Sequence, residues 1–202
     1  MYQLYYSPNA CSLATQVVLH ELGHKVEIID KRGVTNFSEI SATGAVPALK
    51  DNGAILLEGE AIMIYLLEKQ PTPMFSSNPV ERTQAIEDIM FANATMHPAY
   101  SKLFFISSLD IDDTAKKIAL NAAANSINSL WNIVEQRLQE NDFLGGDHYS
   151  AADIMLTVYS RWNQFHPVDI MLGERTQELL EHISNLANFQ RAIANETKQS
   201  AI

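Results

Sequence analysis

The chain has 202 residues, 47% of them apolar and 19% charged, with a formal net charge of −10. That composition supplies a sizeable core and excludes a disordered chain. The acid is spread over both parts, −3 for residues 1–75 and −7 for 76–202, so nucleic acid and an anionic membrane surface are excluded as partners.

Tyr2 to Tyr6 is rich in aromatics and ends at Ser7-Pro8-Asn9, which predicts a strand and then a loop. Leu13, Val17, Val18 and Leu22 recur at helical spacing, and Gly23 stops that helix. Val26, Ile28 and Ile29 predict a second strand, and Thr35 to Ile40 one irregular helical turn. Apolar runs at 46–50 and 54–57 flank Asp51-Asn52-Gly53, a strong hairpin signal. Helical spacing returns from Glu60 to Lys69.

Pro71, Pro73 and Pro79 mark a linker. Beyond it the pattern is helical: Val80 to about Ser108, with a bend at Pro98, then 112–140, 150–165, 174–182 and 186–195. Ser150-Ala151-Ala152-Asp153 is a helix-start capping box, with a hydroxyl at the cap and an acid three residues on. Asp153 is therefore read as structural.

One cysteine cannot form an internal disulfide, which favours a reducing compartment. Met1 to Tyr6 is neutral and Pro8-Asn9 breaks any apolar run, so no secretory signal is expected. No apolar stretch reaches the ~18 residues of a membrane span. The expected location is cytoplasmic.

Cys11 sits at the first turn of a predicted helix, where free N–H groups favour a thiolate; the alternative is a buried cysteine acting as a small hydrophobe. Val46-Pro47 precedes a strand, so Pro47 marks a strand edge or a cis bond that would turn the Val46 backbone toward a ligand. Glu58-Gly59 opens a helix whose N–H groups can hold a carboxylate, while Glu58 can accept an ammonium. His97 lies inside a long helix and could face the α/β part. No cluster has metal-ligand spacing, so no metal is expected.

Together these segments resemble the cytosolic glutathione transferases, most closely the bacterial beta class. Tyr5-Tyr6-Ser7-Pro8-Asn9-Ala10-Cys11 is similar to that class's opening, and Gly44-Ala45-Val46-Pro47-Ala48-Leu49 to the family's cis-proline turn. Leu57-Glu58-Gly59-Glu60-Ala61-Ile62 resembles its γ-glutamyl-binding turn, and Phe143 to Asp153 its C-terminal capping motif.

The resemblance implies α/β plus all-α architecture: a thioredoxin-like domain of order βαβαββα at residues 1–73, then a helical bundle at 79–202, usually in a homodimer. It implies glutathione as a substrate, conjugated as its thiolate to a hydrophobic small-molecule electrophile in detoxification. Val46 and Pro47 would face the cysteinyl part of glutathione, and Glu58 and Gly59 the γ-glutamyl end. Cys11, His97 and Tyr6 would be the catalytic candidates. Lys31 and Arg32 are the candidates for the glycyl carboxylate. Phe91, Met96, Tyr100, Phe104 and Trp162 could form the apolar wall. Mixed-disulfide chemistry through Cys11, and a non-catalytic binding role, are the rival readings.

Overall fold

The hairpin signal at Asn52-Gly53 is the local feature from which the sheet is built. A computed structural model describes residues 1–200. Asn52 (φ 48°) and Gly53 (φ 90°) both take positive φ, as a two-residue hairpin with the twist of its strands requires. They join strand β3 (Ala48–Asp51) to β4 (Ala54–Leu57). Strand β1 (Tyr2–Tyr6) pairs antiparallel with β3, Leu4 opposite Leu49, and parallel with β2 (Val26–Asp30), Leu4 opposite Ile28. The order across the mixed sheet is β2-β1-β3-β4.

The parallel β1–β2 pair needs a crossover, and α1 (Ser12–Glu21) supplies it. Gly23 (φ 73°) closes α1, with the His24 N–H reaching back to the Leu19 carbonyl. The sequence gives α1 an apolar face only, yet residues Ser12 through His20 are all buried. The reason is tertiary: α2 (Gly59–Leu67), α6 (Ala151–Ser160) and α8 (Ala187–Ser200) pack on α1 in addition to the sheet. The irregular turn expected at Thr35–Ile40 is a 3-10 turn, Phe37–Glu39, so the second helix of the expected βαβαββα order is reduced to that turn.

In the proline-rich segment after α2, Met74 and Phe75 are buried. Asn78 then caps α3 (Pro79–Met90), its side chain accepting the Val80 N–H. The helix expected from Val80 to Ser108 is three pieces: α3, a π-helical segment Phe91–Met96 and α4 (His97–Ser108). Pro98 has no N–H to give to the preceding turn, and the chain passes that point by widening just upstream of it. Asp112 caps α5 (Asp113–Arg137). A 3-10 turn, Arg161–Phe165, follows α6, and α7 (Glu174–Ser184) precedes α8.

The buried Asp88 of α3 pairs with Arg137 of α5 at 2.7 Å. Leu4, Leu49, Ile62, Tyr100, Trp131 and Ile154 belong to one continuous apolar core that spans both halves. Among the described residues no helix is long and apolar enough to cross a membrane.

Candidate functional site

Strand β1 ends in the loop Ser7–Ala10, and α1 begins immediately after it. Cys11 is the N-cap of α1 and is partly buried. Its Sγ donates to the Val46 carbonyl at 3.4 Å. The Val46-Pro47 peptide is cis. Both residues lie just ahead of β3, beside the end of β1.

Burial pushes the Cys11 thiol up to about 11; the N–H groups of Cys11 and Ser12 act against that rise, and Glu60 adds to it. The thiolate expected from the helix start is thereby corrected. Desolvation outweighs the N-terminal N–H groups, and Cys11 is a protonated thiol that acts as a donor.

Glu58 bridges β4 and α2 with φ 66° and ψ 120°, a conformation rare for a residue with a side chain, and it is exposed. Gly59 follows. A Cβ there would meet Asn93 Oδ1 at 3.3 Å and the Pro47 ring at 3.8 Å, so the start of α2 lies close against the cis-proline turn. Asn93, in the π-helical segment, donates to Glu60 Oε2 at 2.5 Å and ties the helical half to this corner. Cys11, Val46, Pro47, Glu58 and Gly59 are thus brought together.

His97 opens α4. Its ring meets Tyr159 edge-on at 5.2 Å and Trp162 at 5.3 Å. Burial holds its pKa below the ordinary histidine value, with Glu60 acting in the opposite direction. Tyr159 is 1% exposed, and burial first, then its neighbours Cys11 and Glu60, push its phenol well up. His97 therefore borders the corner through Tyr159.

Tyr6 does not join the group. It is 1% exposed, and burial, then Asp30 and Glu196, raise its pKa. Those neighbours place its hydroxyl toward β2 and α8.

Of the apolar wall residues, Met96 and Tyr100 are fully buried, whereas Phe104 is 41% exposed and meets Trp162 edge-on at 5.7 Å. Lys31 donates from Nζ to the Gly44 carbonyl at 2.8 Å, which brings its ammonium to the loop before Val46. Arg32 is engaged with Asp30.

Asn93, Glu60 and Tyr159 were not read from the sequence. Asn93 is a lone amide in an apolar stretch, and Tyr159 sits in an apolar run, so neither carries a local signal. Among the described residues no group of His, Cys, Asp and Glu could hold a metal.

Residues 1–74 match the family model of the glutathione S-transferase N-terminal domain. The chain is 28% identical over 207 residues to a glutathione S-transferase of Xanthomonas campestris pv. campestris, covering 99% of this chain and 97% of that one. A sphingomonad glutathione S-transferase solved with glutathione superposes with a TM-score of 0.83 at 26% identity, covering 96% and 98% of the two chains. The beta-class glutathione S-transferase of Sphingomonas chungbukensis does so with 0.82 at 25% identity, covering 96% and 98%.

Proposed function

We propose that this chain, a member of the glutathione S-transferase family through its N-terminal domain and its full-length relatives, joins the sulfur of glutathione to a hydrophobic electrophile. The observation that carries this reading is the corner where Cys11 Sγ, the cis Val46-Pro47 backbone and the start of α2 meet.

Glutathione is an extended anionic tripeptide. Its cysteinyl backbone would pair with the Val46 peptide as an added strand does. Its γ-glutamyl carboxylate would meet the free N–H groups at the start of α2, and its ammonium the Glu58 carboxylate. Its glycyl carboxylate would meet Lys31, because Arg32 is already engaged by Asp30.

The glutathione sulfur would then lie beside Cys11. The Cys11 S–H and the first N–H groups of α1 would stabilise a thiolate there, and that thiolate would attack the electrophile. His97, neutral at pH 7, would be the base that borders the site. Phe104 offers an exposed aromatic face for the electrophile. The burial and high pKa of Cys11 speak against it as the nucleophile of a mixed-disulfide route.

Residues 1–73 would form the glutathione-binding domain and 79–202 the helical domain, in a cytoplasmic homodimer. Retention on a glutathione resin, lost in Glu58→Ala, together with turnover of a generic aromatic halide, tests the reading. No retention and no turnover by the parent chain would overturn it.

A further inference from the structure

The loop that carries the thiol is held by the other end of the chain. Asn9, two residues before Cys11, takes φ 61° in the Ser7–Ala10 turn, which the Ala10 N–H closes on the Ser7 carbonyl at 3.1 Å and whose left-handed position asparagine tolerates. Both of its peptide groups are fixed from the helical half. Its carbonyl accepts the Trp162 indole N–H at 2.8 Å, and its N–H donates to Glu196 Oε2 at 3.2 Å.

Glu196 belongs to the last helix, is 7% exposed, and lies 187 residues away from Asn9 in sequence. A buried carboxylate is costly unless it meets donors, so its place against a backbone N–H of this one loop calls for a reason. We propose that Glu196 is a positioning residue for Cys11, acting through Asn9, so that α8 sets the geometry of the thiol loop. The inference rests on the reading of this corner as the glutathione site only for its consequence in turnover.

Among the described residues, the groups facing Glu196 include Asn9 on the loop, Arg161 after α6, Asp30 on β2 and Tyr6 on β1. Burial raises its pKa to about 7; the Asn9 N–H and Arg161 oppose that rise, and Asp30 adds to it. The carboxylate accepts the Asn9 N–H with charge assistance, and the neutral acid does so more weakly. The hold on the loop therefore tightens as pH rises through about 7.

Amide hydrogen exchange of segment 7–11 in the unliganded chain, corrected for intrinsic rates, reads this directly and needs no glutathione. The parent chain should show roughly tenfold more protection at pH 8 than at pH 6, the gap between a charged and a neutral acceptor. Glu196→Gln should abolish the pH dependence and leave protection near the parent's acid value. The same variant should melt higher than the parent at pH 8, because it no longer buries a charge. A merely structural Glu196 would move protection and melting together. Equal protection of the parent at both pH values, or a Glu196→Gln profile superimposable on the parent's, would overturn the proposal. Loss of glutathione retention with the exchange pattern intact would overturn only the functional reading.

Discussion

The Cys11 sulfur lies 3.4 Å from the Val46 carbonyl and donates to it. The only thiol of the chain and the backbone of its cis-proline turn are therefore partners before any ligand arrives. With the thiol raised to about 11, the thiolate fraction at pH 7 is on the order of one in ten thousand. Alkylation of Cys11 by iodoacetamide should accordingly be slow at pH 7 and rise about tenfold per pH unit to pH 10 without a plateau. A plateau below pH 8 in mass-spectrometric rate measurements would show a thiolate and contradict the donor role.

Lys31 and Arg32 are adjacent but differently committed. The Lys31 ammonium touches the carbonyl of Gly44, whereas the Arg32 guanidinium is gripped by Asp30. Lys31→Gln should raise the KM for glutathione about tenfold with kcat nearly unchanged, the sign of lost uniform binding. Arg32→Gln should leave both within about twofold. Steady-state kinetics with an aromatic halide as second substrate separates the two residues.

Glu58 holds φ 66° between β4 and α2. Such a conformation costs a side-chain-bearing residue on the order of 1–3 kcal/mol, and glycine, which has no Cβ, bears less of that cost. Glycine adds unfolded-chain entropy in return, roughly 0.5–1 kcal/mol. Glu58→Gly should thus be no less stable than the parent in urea while losing retention on glutathione resin. A stability loss above about 1 kcal/mol would mean that the carboxylate supports the fold and not a ligand.

Burial depresses the pKa of His97 below 6.5. A histidine whose folded pKa is lowered stays neutral at pH 7. As pH falls through 6.5 the unfolded chain takes up its proton first, so stability declines toward acid. The ring signal of His97 in an NMR titration, assigned by its loss in His97→Phe, should show a midpoint below 6.5. A midpoint above 7 would show that Glu60 dominates over desolvation.

The elements were legible where local chemistry fixes them. Asn52-Gly53 can hardly be other than a two-residue hairpin, and Ser150 with Asp153 declares a helix start. Cys11, Val46-Pro47 and Glu58-Gly59 stood out as motifs, and the fold places them in one corner. What could not be read depends on packing. The burial of Thr15, Gln16 and His20 on α1 comes from tertiary packing, since α2, α6 and α8 lie against that helix in addition to the sheet. The raised pKa of Cys11 has the same origin, since a helix start alone predicts the opposite sign. Tyr6 was a candidate through the class resemblance alone, and in the fold it is buried with Asp30 and Glu196 as neighbours. Asn93, Tyr159 and Glu196 are single polar groups whose roles arise from residues 33 to 187 positions distant, such as Glu60 for Asn93 and Asn9 for Glu196.

Asp153 gives the sharpest stability test, because three donors converge on one fully buried carboxyl. Its oxygens accept the Ser150 N–H at 2.7 Å, the Ser150 hydroxyl at 2.8 Å and the Leu144 N–H at 3.1 Å. Asp153→Ala leaves these donors without their acceptor and should cost about 3 kcal/mol or more. Burial, only partly offset by those donors, raises its pKa from 3.8 to about 6. The folded chain therefore binds the proton more tightly than the unfolded chain, and between those values the acid's contribution to stability falls as pH rises. Asp153→Asn keeps an acceptor without the charge. Its deficit relative to the parent should be largest below pH 4 and shrink by about 3 kcal/mol by pH 7. Urea denaturation of both variants at pH 4 and pH 7 checks the magnitude and the sign together. A deficit for Asn that grows with pH would mean that the ionised carboxylate, and not the buried acid, is what the helix start requires.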